Sequence, residues 1–255
     1  MIVAEKISKY FNGERVLHDI SVSFEPGKTN LIIGKSGSGK TVLMKSIIGL
    51  HIVDNGKILY NDRNFLLMSP KEQRELRKEM GMLFQGSALF DSLTVEENIQ
   101  FPLDMFSNMS DREKRERVNF CLKRVNLEKA NKLFPGELSG GMQKRVAIAR
   151  AIVLNPRYLF CDEPNSGLDP KTALVIDKLI SDITHEYNIT TIVNTHDMNS
   201  VMEIGEKVVF IHEGRKCWEG NNLQILNSKD EALNDFIFAS DFAKRAKQNI
   251  DQTSS

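Results

Sequence analysis

Gly34-Lys35-Ser36-Gly37-Ser38-Gly39-Lys40-Thr41 has the G-x-x-x-x-G-K-T spacing of a phosphate-binding loop. Glycines let backbone N–H groups curl inward, and the helix that follows adds its positive end. In such a loop Lys40 would neutralise the β- and γ-phosphates, and the Thr41 hydroxyl would ligate Mg²⁺. The phosphate-binding candidates are therefore Gly34, Ser36, Gly37, Ser38, Gly39, Lys40, Thr41 and Val42.

Other residues could complete this chemistry. Residues 158–161 are apolar and run into Asp162 and Glu163. An aspartate ending a buried strand beside a phosphate loop can hold Mg²⁺. Its neighbour Glu163 is suited to orienting or deprotonating an attacking water. The plainer alternative is a pair of surface acids ahead of Pro164. His196 also sits where an apolar run ends, which puts a γ-phosphate contact within reach, although a lone histidine is usually structural or exposed. Gln85 follows Met82-Leu83-Phe84 and could touch Mg²⁺ or the attacking water. Leu138-Ser139-Gly140-Gly141-Met142-Gln143 opens an amphipathic helix. Ser139 is its N-cap, and Gly140 and Gly141 let a ligand approach the helix start.

These residues need a scaffold that brings strand ends together. Residues 30–33 form a short apolar run into the glycine loop, and a helix follows over 42–50, the context a phosphate loop requires. Strands are also predicted around 16–24, at 57–60, 158–161, 189–194 and 208–211, with a helix over 171–187. Short apolar strands alternating with helices imply an α/β fold with a parallel sheet covered on both faces. Ser69-Pro70 and the Ser110–Glu113 capping box start helices, so 69–135 reads as mostly helical apart from the apolar run 80–84. The tail after Asn221 is predicted helical to about Lys247, and its apolar Phe236, Ile237, Phe238 and Phe242 could pack on the chain's own domain, on the other protomer or on a small regulatory protein.

Composition narrows the function. Lys and Arg together number 34, as do Asp and Glu, so no global field favours nucleic acid or anionic lipid. Three cysteines, widely spaced and odd in number, suit a reducing compartment and argue against a disulfide framework or zinc site. The N-terminus turns charged before any apolar run develops, so no signal peptide is expected. No stretch approaches the ~20 apolar residues of a membrane span.

With this ordered set the chain resembles, over essentially its whole length, the ATP-binding subunit of ABC transporters. The matching elements are Walker A at 34–41, the Q-loop Gln85, the signature at 138–143, Walker B ending at Asp162, Glu163, a D-loop at Ser166-Gly167-Leu168-Asp169, and the switch histidine His196. The resemblance implies an ABC ATPase domain over 1–222 and a helical tail over 223–255. Within that domain it implies a RecA-like P-loop core, an antiparallel β subdomain and an inserted helical subdomain at about 69–156. It makes Glu163, His196 and Gln85 catalytic, and Thr41, Gln85 and Asp162 the Mg²⁺ ligands. Ser139, Gly140, Gly141, Gln143 and Asp169 join the nucleotide contacts, with Ser139 and Gly141 reaching the γ-phosphate held by a partner chain. Phe11 falls where the family stacks an aromatic on adenine, with Tyr10 the alternative. Asn165 departs from the usual threonine.

The loop from Leu83 to Val95, with Asn98 and Phe101-Pro102-Leu103, resembles the ATPases of Mla-type, MCE-linked phospholipid transporters. That implies ATP and Mg²⁺ as cofactors and a homodimer bound to two permease subunits on the cytoplasmic face of the inner membrane. An MCE-domain lipid-binding protein and a small STAS-type regulatory subunit would complete the assembly, with no nucleic acid. The alternatives are another ABC system, for lipoprotein release or small-solute uptake, and a soluble non-transport ABC ATPase.

Overall fold

The computed structural model describes residues 1–238. The chain opens with β1 (Ile2–Phe11), β2 (Glu14–Phe24) and β3 (Thr29–Ile33), then α1 (Lys40–Ile48), β4 (Asn55–Tyr60) and β5 (Arg63–Asn64). Next come α2 (Pro70–Lys78), β6 (Met80–Leu83), α3 (Val95–Phe106), α4 (Asp111–Arg124) and α5 (Gly140–Ile152). The last elements are β7 (Tyr158–Asp162), α6 (Pro170–Glu186), β8 (Thr190–Thr195), α7 (Met198–Ile204), β9 (Lys207–His212), β10 (Arg215–Gly220) and α8 (Glu231–Ile237).

Two sheets organise these elements. One is four-stranded and antiparallel, in the order β2-β1-β4-β5; the other is six-stranded, in the order β10-β9-β3-β8-β7-β6. In the larger sheet β9, β3, β8, β7 and β6 run parallel, and only β10 at the edge is antiparallel. Every residue of β3, β7 and β8 is buried, because both faces of the sheet are covered. Alternate residues divide between two cores. Ile32, Phe160, Ile192, Val209 and Ile211 pack with α1 and the small sheet. Leu31, Cys161, Val193, Val208 and Phe210 pack with α5, α6, α7 and α8.

Parallel strands align their carboxyl ends, so the segments after β3, β6, β7 and β8 emerge at one edge. Those segments carry the phosphate loop, Gln85, Glu163 and His196, which is how residues far apart in sequence meet.

The predicted lobe at 69–156 is interrupted. Met80–Leu83 pairs with β7 in the main sheet, and Leu76 of α2 packs with the core beneath the small sheet. The continuous helical unit comprises α3, α4 and α5, whose buried Ile99, Val118, Leu122 and Val146 share one core. Helix α3 starts at an unpredicted Thr94–Glu97 capping box; the box expected at Ser110 forms, and the helix start expected at Ser69-Pro70 forms with a capping box of its own. β10 is also unpredicted. It follows a tight turn with Glu213 and Gly214 at φ 46° and 69°, a hairpin signature hidden by the unusual Glu-Gly pair. Helix α8 ends at Ile237, and the expected continuation to Lys247, including Phe242, lies outside the described residues. Among the described residues no helix is long and apolar enough to cross a membrane.

Candidate functional site

The phosphate loop is shaped by contacts beneath it. Gly34 adopts φ +148°, and a Cβ there would run into the Ile211 carbonyl and lie 2.7 Å from Ser38 Oγ, so no side chain fits. The loop's far end is tied to the β9–β10 turn, where the Gly214 amide donates to the Ser38 carbonyl at 3.0 Å. Lys40 Nζ donates to the carbonyls of Gly34 at 2.8 Å and Lys35 at 3.1 Å, and so curls back over the loop. Burial lowers the Lys40 pKa, against the opposing pull of Glu163 and Asp162. Lys35, Ser36 and Gly37 form the exposed lip, whereas Ser38 Oγ is buried with no hydrogen-bond partner.

Asp162 faces this loop from the end of β7. Its Oδ1 stands 3.4 Å from Thr41 Oγ1 and accepts from Asn194 Nδ2 at 3.0 Å. Hydroxyl, carboxylate and nearby amide oxygens form a hard donor set that fits Mg²⁺ better than a softer metal. No cluster of three or more His, Cys, Asp or Glu suited to a metal occurs among the described residues. A cation here would have to share its coordination with phosphate oxygens and water, which is the habit of Mg²⁺.

Glu163 has φ +50°, a left-handed conformation uncommon for a non-glycine residue, while its amide donates to the Asn194 carbonyl at 3.0 Å. This turn swings its carboxylate off the strand direction, so that Oε2 lies 2.8 Å from His196 Nδ1. His196 is largely exposed, whereas the Glu163 side chain is only 15 % exposed. A carboxylate so placed, with an imidazole to orient it, can polarise a water beside a phosphate. Gln85 Nε2 reaches Ser166 Oγ at 3.5 Å, linking the segment after β6 to the segment after β7.

These residues surround a cavity of about 560 Å³ lined by Lys35, Ser36, Gly37, Gly39, Lys40, Thr41, Val42, Gln85, Glu163 and His196, with Val16 and Phe236. Most of the predicted phosphate-binding and catalytic residues therefore meet. Others stand elsewhere. Phe11 packs edge-on against His51 at 5.3 Å beneath Lys9, Tyr10 lies under the Arg15 guanidinium, and neither aromatic lines the cavity. Ser139 and Gly140 are exposed at the start of α5, with Ser139 Oγ accepting from the Met142 amide. Gly141 is buried against Thr172, where a Cβ would lie 2.6 Å from Cγ2. Gln143 spends its amide on the Pro135 carbonyl at 2.9 Å. Asp169 caps α6 through the amides of Lys171 and Thr172. None of residues 138–143 lines the cavity of its own chain.

A profile of the ABC transporter family matches residues 17–166. The chain belongs to the ABC transporter family. It is an ATP-binding, ATP-hydrolysing domain of that family. The methionine import ATP-binding protein MetN of Campylobacter jejuni is 36 % identical over 266 residues, covering 98 % of this chain and 79 % of that protein. The intermembrane phospholipid transport system ATP-binding protein MlaF of Haemophilus influenzae is 36 % identical over 237 residues, covering 92 % of this chain and 90 % of that protein. A dimeric post-hydrolysis state of an ATP-binding cassette bound to ADP and Pi matches with a TM-score of 0.79 at 32 % identity, covering 87 % of this chain and 99 % of that one.

Several residues of this ABC domain escape a reading by motif. Lys144 is 4 % exposed and donates to the Gln85 carbonyl, and burial lowers its pKa. Arg150, on the same helix, donates to the carbonyls of Ala88 and Ser87, both at 2.8 Å. The helix that begins with the signature thus grips the Gln85 loop. The amphipathic phase of α5 sets Lys144 and Arg150 off the apolar face of Met142, Val146, Ala149 and Ile152, so it gives no sign of this buried contact. Phe236 stacks obliquely on Phe210 at 5.5 Å and joins the cavity wall from α8. Its apolar character marks it for packing, but nothing local marks it for this cavity.

Proposed function

We propose that this ABC ATPase powers a phospholipid transporter of the cell envelope, working as a homodimer on the cytoplasmic face of the inner membrane. The observation that carries the lipid reading is the MlaF match, which extends over nearly the full length of both chains. An apolar cleft beside Gln85 is consistent with it. Phe84, Phe90, Phe101 and Phe106 there are each 40–45 % exposed, a patch that asks for a membrane-protein partner. Two permease subunits would dock on it. An MCE-domain lipid-binding protein and a small STAS-type regulator would complete the machine.

In this reading the amides of residues 36–41 and Lys40 hold the phosphates, and Phe11 or Tyr10 meets the adenine from outside the cavity. Thr41, Asp162 and Gln85 would hold Mg²⁺, which when bound supplies charge neutralisation on the phosphate oxygens. Glu163 accepts a proton from the attacking water, and His196 fixes the Glu163 carboxylate. Ser139 and Gly141 belong to the partner's site. A helix N-terminus outside the lining of its own chain's cavity can lend its dipole to a nucleotide only across an interface. Each isologous dimer then has two composite sites, which ATP closes and hydrolysis opens.

Small-solute uptake is the second reading, and the MetN match over 98 % of this chain favours it. Purification of the tagged protein in mild detergent, with mass spectrometry of its companions, separates the two. A multi-spanning permease with an MCE-domain protein supports lipid transport, and an amino-acid permease sinks it.

A further inference from the structure

Asp177, on α6, is 1 % exposed and does not line the nucleotide cavity. Its Oδ1 accepts from Asn165 Nδ2 at 2.7 Å, and the same amide nitrogen donates to Ser200 Oγ at 3.0 Å. Asn165 thus bridges the Asp177 carboxylate and the Ser200 hydroxyl. Asn165 Oδ1 is buried without a partner. A buried polar atom left unpaired is costly, so this amide is held for what its nitrogen does.

Each of the three residues belongs to a different part of the site. Asn165 follows Glu163 across Pro164, a residue with fixed φ. Ser200 sits in the first turns of α7, just after His196. Asp177 lies two turns into the helix that Asp169 caps. Glu163 and His196 touch directly at 2.8 Å, and the Asn165 bridge is a second link between their segments. An asparagine suits this bridge because one amide offers two protons, to an acid and to a hydroxyl, where a threonine offers one.

We infer that Asp177 is a positioning residue for ATP hydrolysis, holding the Glu163 turn, the His196 turn and α6 in one register through Asn165 and Ser200. The inference rests on the role proposed for Glu163 and His196. In the full-length chain, Asp177→Leu keeps the volume but removes the acceptor, while Asp177→Asn keeps an acceptor oxygen. Steady-state turnover is titrated with Mg-ATP for both. Asp177→Leu is expected to lower kcat about ten-fold, with KM for ATP within about two-fold of wild type, and Asp177→Asn to stay within about three-fold in both. A folded Asp177→Leu with wild-type kcat overturns the inference, as does a rise in KM alone. If Asp177→Leu does not fold, Asn165→Ala, Ser200→Ala and their double variant replace it. Because both cut the same link, the double variant is expected to lose no more kcat than the worse single one, and independent multiplicative losses overturn the inference. Failure of the parent reading shows differently: Glu163→Gln would then turn over ATP as fast as wild type.

Discussion

His196 Nδ1 and Glu163 Oε2 stand 2.8 Å apart, joined across the carboxyl ends of two neighbouring parallel strands. The contact exists because Glu163 takes a left-handed turn that a strand-end residue would ordinarily avoid. Backbone strain of this kind costs about 1–3 kcal/mol and persists where the surroundings impose it. Here the Asn194 carbonyl on one side and the imidazole on the other impose it.

Glu163→Gln keeps the shape but removes the base. ATP binding is expected to survive, and turnover to fall by roughly 10²–10⁴-fold, the range of general-base catalysis. With ATP and Mg²⁺ the variant should elute as a dimer on size exclusion. Hydrolysis at the wild-type rate would show that Glu163 is not the base.

Lys40 folds over the loop it serves, bonded to two of its carbonyls. Lys40→Ala removes a charge-assisted contact to phosphate, and Mg-ATP affinity is expected to drop about 100-fold, or about 3 kcal/mol. Isothermal calorimetry reads this directly, and unchanged affinity would refute the phosphate-loop assignment.

Lys144 connects α5 to the Gln85 carbonyl. Lys144→Met fills much the same space with an apolar chain, so stability should change by only about 1 kcal/mol. Turnover should nonetheless fall several-fold, because the Gln85 loop loses its anchor. A variant with normal turnover and normal melting temperature would reduce the contact to packing.

Burial raises the Asp177 pKa from 3.8 to about 6, against the opposing bonds from Ser200 and Asn165, with Asp197 and Glu203 adding a smaller upward push. A carboxyl group whose pKa is raised by folding binds its proton more tightly in the native state. Its contribution to stability is therefore greatest below about 4 and declines as pH rises through about 6, by up to about 3 kcal/mol in all. Above that the contribution is flat. Urea unfolding of wild type and Asp177→Asn across this window should show the slope in wild type alone, and parallel curves would count against a buried ionising Asp177.

How far the sequence reveals this molecule depends on the range of the interaction. Gly34 to Thr41, the run into Asp162 and the capping residues Ser69 and Ser110 are local signals, and each element forms where its own residues dictate. The alternation of apolar strands with helices was enough to foretell a parallel sheet with aligned carboxyl ends. What escaped reading is non-local. The strand Met80–Leu83 looks like an interruption within a helical stretch, and only its pairing with β7 makes it core. Phe236 reaches the cavity because α8 lies on Phe210, a contact between residues with no periodic relation. The Asn165 bridge to Asp177 and Ser200 joins three segments, and no one of them betrays the other two.

The placement of Ser139 and Gly140 has a kinetic consequence. With the proposed composite site, activity should follow a rate law of second order at high dilution, with activity per molecule rising as encounters become more frequent. Tethering two copies on a shared membrane platform replaces those encounters with a fixed local concentration. The platform would then act as an accelerator for the enzyme as well as a conduit for its cargo.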